Sequence, residues 1–278
     1  MSRDKALSIT IPDPILRLYP ISDTHVGALA SNHSHLSTLA DIIANDPHAR
    51  AIGVGDYIEA IAPDDYRFDP SELAPLWDEP DTPLPDYINH IFYHQALYFS
   101  RIFKPTRGKW LCLISGNHEN TCVRKHHFSP TSIIAHHLHA PHIGGTDESG
   151  WLRIKFKHTG RIRHTIDIYL QHGWGGGELR GSDALKLQRL LWRKSADIVI
   201  LGHVHRPTAF PETVEYVDRY NNISSKQRWG VICYPTITKH GYIARRGGNA
   251  SPSGYIVIQI ERHQNHPPSI SIELNPFS

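Results

Sequence analysis

Five segments of this 278-residue chain share one arrangement, in which an apolar stretch with strand character ends at side chains that bind metals. The stretches are residues 15–22, 51–54, 110–114, 164–171 and 197–201. The side chains that follow them are Asp23 with His25, Asp56, Asn117 with His118 and Glu119, His172, and His203 with His205. Ligands of open α/β sheets bind at the carboxyl ends of the strands, so we expect these ends to meet at one crevice.

Helical spacing between the strands agrees with an α/β fold. Residues 34–45 place Leu36, Leu39, Ala40 and Ile43 on one face, and residues 87–103 and 131–139 also predict helices. Ser182 is the predicted N-cap of a helix that runs to residue 194. Further strands are predicted at residues 151–157, which pair with 164–171, and at 229–234, 255–260 and 269–273.

Residues 59–86 differ from their surroundings in composition. They hold six prolines and nine acidic residues against one basic residue, Arg67, which breaks regular structure. We therefore predict a single domain over residues 1–278 with an acidic, proline-rich insertion at about 59–86. The insertion is either a cap beside the site or a solvated surface loop.

Composition narrows the class of protein. The 21 histidines are a surplus that favours metal binding, since neutral imidazole is the commonest metal ligand. A net charge of +2 does not by itself argue for nucleic acid or a membrane, and three cysteines predict reduced thiols. No apolar run approaches the roughly 20 residues of a membrane helix, and no apolar signal core opens the chain, so we expect a cytoplasmic protein without a membrane partner.

The candidate ligands are carboxylate oxygens, an amide oxygen and imidazole nitrogens. This mixture suits Mn, Fe, Zn or Ni better than Ca or Mg, which prefer oxygen alone. Because no cysteine pair lies near these segments, a structural zinc site is disfavoured.

In chain order, the five segments resemble the DxH, GD, GNH[DE], H and GHxH motifs of the calcineurin-like metallophosphoesterase superfamily, over about two thirds of the chain. The resemblance implies a four-layer α/β/β/α sandwich with two mixed β-sheets and two divalent metal ions at the carboxyl ends of the strands. It also implies that Asp23, His25 and His205 bind the first ion. Asn117, His172 and His203 would bind the second, and Asp56 would bridge the two. His164 is the alternative to His172, although it begins a strand rather than ending one.

The resemblance also assigns chemistry. Two metal ions about 3.5–4 Å apart clamp a phosphoryl group and lower the pKa of a bound water. His118 is expected to donate a hydrogen bond or a proton at the phosphate or the leaving oxygen, and Glu119 to orient His118 or a ligand.

Some sequence features favour a polyanionic substrate, and others disfavour it. The histidine of GNHE is usual in diester-cleaving members, and basic residues follow three of the motifs: Arg124, Lys125 and His126, then Lys186, Arg189 and Arg193, then Arg206. Such a rim attracts a polyanion, whereas the acidic insertion repels long nucleic acid. We predict a hydrolase of phosphoric esters, manganese-dependent, that acts as a phosphodiesterase or nuclease on nucleic acid or nucleotides. The alternatives are a phosphomonoesterase or protein phosphatase, and a non-catalytic scaffold with this fold.

Overall fold

The computed structural model describes residues 5–74, 84–158, 161–175, 180–237, 252–263 and 266–277. The strands in these ranges are β1 (Leu7–Ile11), β2 (Ile15–Ile21), β3 (Ala49–Gly53), β4 (Trp110–Leu113), β5 (Ser149–His158), β6 (Arg161–Gln171), β7 (Ile198–Leu201), β8 (Thr208–Val217), β9 (Ile223–Ile232), β10 (Gly254–Glu261) and β11 (Ser269–Pro276). The α-helices are α1 (His33–Asn45), α2 (Leu84–Asn89), α3 (Ile91–Ile102), α4 (Asn117–His126), α5 (Pro130–Leu138) and α6 (Arg180–Arg193).

The strands form two mixed sheets. One has the order β11-β10-β2-β3-β4, in which β2, β3 and β4 run parallel and β10 runs antiparallel to β2. The other has the order β1-β5-β6-β7-β9-β8, in which β6, β7 and β9 run parallel, and β5 and β6 form the expected antiparallel pair. Two parallel sets, one per sheet, therefore present carboxyl ends to a shared site.

Three apolar clusters hold the layers together. The largest lies between the sheets, where Leu18 and Ile52 of one sheet meet Ile154 and Ile168 of the other. The outer face of the first sheet packs on α1, α3 and α5, and the outer face of the second packs on α6. Burial on both faces explains the continuous apolar runs of β4 and β7. The predicted four-layer α/β/β/α sandwich is confirmed.

Several element boundaries differ from the sequence-based expectation. Residues 87–103 form two helices rather than one, because the backbone of His90 leaves helical geometry (φ −121°, ψ 28°) before α3 begins. Helix α6 begins at Arg180, so Ser182 lies in its first turn and is not the N-cap. Helix α4 was missed, because only its first residues carry the motif and its remainder is polar and weakly patterned.

Strands β1 and β8 were also missed, and both lie at the edges of their sheet. Their side chains alternate between partly buried and exposed, so they lack the continuous apolar runs that indicate central strands. The three cysteines are free and buried, which confirms the expected thiols. No helix in the described ranges is long and apolar enough to cross a bilayer. The limits of the acidic insertion stay a prediction, since residues 75–83 lie outside the described ranges.

Candidate metal centre

The predicted ligands lie where the parallel strands of both sheets end. Asp23 follows β2, Asp56 follows β3, and Asn117 begins α4 shortly after β4. From the other sheet, His172 follows β6, and His203 and His205 follow β7. Backbone hydrogen bonds join these loops: the amide of residue 23 donates to the carbonyl of Gly55 (3.1 Å), and the amide of Gly202 donates to that of His172 (3.1 Å).

The ligand atoms gather into two groups. Atoms of Asp23, His25 and His205 lie within 4.8 Å of one another, and so do atoms of Asp56, His172 and His203. A third group within the same distance consists of His25, Asp56 and His118, so the described side chains bring His118 beside the residues that the resemblance assigns to the two ions.

Asp56 lies between the two groups. Its Oδ2 is 3.0 Å from Nε2 of His172 and 4.0 Å from Nε2 of His25. Oδ1 of Asn117 is 3.1 Å from the same Nε2 of His172, which places the amide beside the second group. His164 lies near the opposite end of β6, paired with Phe156, so His172 is the histidine at the site.

Backbone strain is concentrated at these loops. Ten non-glycine residues in the described ranges have positive φ, and five of them are predicted ligands: Asp23, His25, Asp56, His203 and His205. Such conformations cost on the order of 1–3 kcal/mol each and persist where the surrounding structure holds them for a function. In the DxH and GHxH segments, these conformations direct the side chains of both ligands toward the same crevice.

Two glycines are required by close packing under Asp56. A Cβ at Gly116 would lie 2.1 Å from Oδ1 and 2.4 Å from the amide nitrogen of Asp56. At Gly55, which has φ +94°, a Cβ would lie 2.5 Å from the nitrogen of Gly116. The GD and GNHE loops can approach this closely only because both residues lack a side chain.

The histidine rings are oriented by hydrogen bonds on their Nδ1 side. Nδ1 of His172 donates to the carbonyl of Val54 (2.8 Å), and Nδ1 of His25 donates to the Glu59 carboxylate (2.9 Å). Both Nε2 atoms are thereby directed toward the site, where each would donate an electron pair to a metal ion that displaces its proton. Nε2 of His25 is buried and has no hydrogen-bond partner among the described residues, which is the state expected of a nitrogen that binds a metal.

Glu119 lies beneath the site and is fully buried. Its Oε2 accepts the amides of Asp56 (2.9 Å) and Gly116 (2.8 Å), and its Oε1 accepts those of Tyr57 (2.7 Å) and Ile58 (3.2 Å). Of the two roles expected for Glu119, this geometry favours orientation of a ligand, since its carboxylate anchors the backbone of Asp56.

His118 is held at the rim of the same crevice. Its amide donates to Oδ1 of Asp56 (2.9 Å), and its Nδ1 donates to the carbonyl oxygen of Glu59. Because a carbonyl only accepts, Nδ1 carries the proton and Nε2 is directed to the other side, 4.0 Å from Oδ2 of Asp56. The side chain is 13% exposed, so a bound molecule can reach it.

Glu59 is a residue of the site that the sequence analysis assigned to the acidic insertion. Its side chain orients His25 and its carbonyl orients His118. The signal was present in its position three residues after Asp56, on the same loop. Composition alone does not distinguish Glu59, because it is one of nine acidic residues in residues 59–86.

The insertion also lies against part of the expected basic rim, although the closest partner of Asp65 is Arg67 of the insertion itself, at 2.9 Å. Nζ of Lys125 is 4.0 Å from Asp65, and Nε2 of His126 is 3.7 Å from Asp64. The acidic segment thus packs beside α4 and its charges face those of the helix.

Asp183 offsets part of the positive charge of the rim on the other side. The carboxylate of Asp183 is 3.2 Å from Nζ of Lys186 and 2.9 Å from the guanidinium of Arg206. Paired basic side chains attract a long polyanion less strongly than free ones do.

Protons stabilise the site in the metal-free chain. Burial alone would lower the pKa of both His25 and His172, but the Glu59 carboxylate raises the pKa of His25 to about 9 and that of Asp56 raises the pKa of His172 to about 10. Burial, together with the His172 charge, lowers the pKa of His203 to about 4. Two of the three imidazoles therefore carry protons at neutral pH that a metal ion must displace.

We expect Mn²⁺ binding at pH 7 to release about two protons, so that affinity rises between pH 6 and pH 9. Calorimetry in buffers of different ionisation enthalpy measures this number. Glu59→Gln is the matched variant, and about one proton fewer should be released because the charge that raises the His25 pKa is gone. A binding enthalpy independent of the buffer would contradict this origin of the pKa values.

Comparisons with known proteins find remote likenesses among solved structures. No protein-family model matches the chain, and no curated protein matches it. Among solved structures, a conserved uncharacterized protein of Streptococcus pneumoniae, described as a predicted phosphoesterase, is 12% identical, with 93% of this chain and 98% of that one covered and a TM-score of 0.35. The calcineurin-like phosphoesterase YfkN of Bacillus subtilis is 10% identical, with 95% and 91% covered and a TM-score of 0.39.

The NAD nucleotidase of Haemophilus influenzae is 10% identical with a TM-score of 0.40, and 94% of this chain covers about half, 49%, of that protein. TM-scores this low carry no argument about activity. The four layers and the convergence of five ordered motifs lie within the chain itself. The four-layer sandwich that the resemblance to the calcineurin-like metallophosphoesterases implies is present in this structure. Which molecule the chain acts on is a separate question.

Proposed function

We propose that this chain is a hydrolase of phosphoric esters that uses two divalent metal ions and cleaves phosphodiesters of nucleotides or nucleic acid. The position of Asp56 carries the proposal, because its carboxylate is within reach of both histidine groups. A carboxylate shared by two donor sets is the feature that a two-metal phosphoesterase needs and that a single-ion site does not.

The donor sets fit such ions. Asp23, His25 and His205 with Asp56 would hold one ion, and Asn117, His172 and His203 with Asp56 would hold the other, with Mn the best match to these donors and Fe, Zn or Ni compatible. Bound ions of this kind polarise phosphoryl oxygens and lower the pKa of water. The protein's own contribution is to fix the donors in place through Glu59 and Glu119.

His118 supports a diester as the substrate. With Nδ1 occupied by the Glu59 carbonyl, only Nε2 can exchange a proton with a bound molecule. In its imidazolium form, Nε2–H donates to the leaving oxygen. An alkoxide leaving group needs this proton, because its conjugate acid is a weak acid, whereas a nitrophenolate does not.

The rim supports a nucleotide-sized diester over a long polymer. Asp65 and Asp183 pair with basic side chains on two sides of the site, and this lowers the charge available for a continuous phosphate backbone. A substrate with one or two phosphates does not need a continuous basic surface.

The test compares bis-p-nitrophenyl phosphate, p-nitrophenyl phosphate and the dinucleotide thymidylyl-thymidine, each with Mn²⁺. We expect both diesters to be hydrolysed faster than the monoester. In His118→Ala, thymidylyl-thymidine cleavage should fall by about 10²–10⁴-fold while bis-p-nitrophenyl phosphate cleavage falls far less, because only the dinucleotide needs a proton for its leaving oxygen.

His142→Ala serves as the control, since this half-buried histidine bonds Ser115 behind the site. It should leave the ratio of the two rates unchanged. Faster hydrolysis of the monoester would favour a phosphomonoesterase, and no turnover of any substrate by a metal-loaded chain would favour a scaffold.

A further inference from the structure

We propose that Asn120 and Glu148 form a clamp that positions His172 and so sets the affinity of the second metal ion. The inference rests on the proposed function. The clamp consists of the Asn120 side chain, the carbonyl of Thr146, the side chain and carbonyl of Glu148, and the amide of His172. None of its atoms reaches a substrate, so Asn120 and Glu148 are positioning residues.

Asn120 supplies the first half of the clamp. It lies on α4, one turn after Asn117, and is 1% exposed. Its Nδ2 donates to Oε1 of Glu148 (2.8 Å) and to the carbonyl of Thr146 (3.1 Å). The side chain therefore attaches α4 to the segment that leads into β5.

Glu148 supplies the second half. Its side chain accepts from Asn120, and its carbonyl oxygen accepts the amide of His172 (2.8 Å). Its backbone has φ +52°, a conformation that costs energy for a residue with a side chain. This conformation allows one residue to bond α4 through its side chain and the His172 loop through its backbone.

The bonds close a ring around the second donor set. Nε2 of His172 is 3.1 Å from Oδ1 of Asn117, and Asn117 begins the helix that carries Asn120. Helix α4 and the His172 loop are thus held in register at two points, one at the ligands and one at the clamp. The contacts of His172 with Val54, Asp56 and Gly202 fix its ring and loop, and the clamp adds a direct backbone link between that loop and α4.

A separate observation supports a role in positioning. Oδ1 of Asn120 is buried and has no hydrogen-bond partner within the described residues. An unpaired buried oxygen costs about 1–3 kcal/mol, so asparagine is not the residue that stability alone would favour here. The two hydrogen bonds that Nδ2 donates account for the presence of an asparagine at this position.

The experiment counts Mn²⁺ ions by elemental analysis and by the electron paramagnetic resonance signature of spin-coupled Mn²⁺ pairs. Asn120→Asp removes the donor at constant shape and sets a carboxylate against that of Glu148. Glu148→Ala removes the acceptor. We expect both to retain the first ion and to bind the second roughly 10–100-fold more weakly, which replaces the coupled signal by that of isolated Mn²⁺.

Two variants serve as controls. Glu148→Gln keeps an acceptor oxygen for Asn120 and should bind two ions like the wild type. Thr146→Ala removes an exposed side chain whose residue uses only its carbonyl in the clamp, and should also bind two. Retention of the first ion shows that a variant is folded.

Each outcome bears on the inference separately from the proposed function. A coupled pair of normal affinity in Asn120→Asp overturns the clamp, and so does equal loss of both ions, which indicates a purely structural role. A wild-type chain that binds two ions but hydrolyses none of the three test substrates overturns the proposed function and leaves the clamp standing. A wild-type chain that binds no Mn²⁺ overturns both.

Discussion

Replacement of Asp56 by asparagine is expected to lower diester hydrolysis by about 10³-fold or more. The variant keeps an oxygen for the His118 amide but removes the one negative charge that both donor sets share. Loss of about 4 kcal/mol of transition-state stabilisation corresponds to this factor, since each 1.36 kcal/mol is tenfold. Steady-state kinetics with Mn²⁺, together with elemental analysis of the metal content, measures the effect, and both ions should bind more weakly.

Asp167→Asn is the matched control for this prediction. Its carboxylate pairs with Arg153 on the surface of the β5–β6 pair, far along the strand from His172. Full activity is expected there. If Asp56→Asn retained wild-type activity, the shared carboxylate would not be the centre of the site, and the two-ion proposal would fail with it.

Replacement of Glu119 by glutamine is expected to destabilise the fold by about 3–5 kcal/mol and to abolish most activity. The carboxylate accepts four buried amides, whereas a glutamine side chain has one oxygen and turns an NH₂ toward two of the donors. Each lost bond to a charged acceptor costs about 1.5–3 kcal/mol. The midpoint of thermal unfolding should fall by on the order of 10 °C.

Glu215→Gln makes the same chemical change at an exposed position of β8. It is expected to alter the free energy of unfolding by less than about 0.5 kcal/mol. The affinity for Mn²⁺ is the second measurement. Because Glu119 anchors the loop that carries Asp56, Glu119→Gln should weaken Mn²⁺ binding as well as lower the stability. Loss of activity with unchanged stability and metal content would mean that Glu119 acts on the substrate instead of anchoring the loop.

From the sequence, the central strands of the two sheets were easier to predict than the edge strands. Strands β4 and β7 are apolar on both faces and end at a motif, so local pattern alone located them. The edge strands β1 and β8 have half-exposed side chains and depend on pairing with a neighbour. The break at His90 likewise has no strong local signal, because residues 87–103 are helical in character on both sides of it.

The sequence by itself determined the ligand types, their order and the strand ends at which they lie, because each motif directly follows a local apolar run that indicates a buried strand. Only the tertiary structure decided which residues support those ligands. In the sequence, Glu59 is one of nine acidic residues in its segment, and only the fold places its carboxylate 2.9 Å from Nδ1 of His25. Glu148 joins Asn120 to His172 across 28 and 24 positions of sequence. Such contacts join residues that are distant in sequence, and no local periodicity records them.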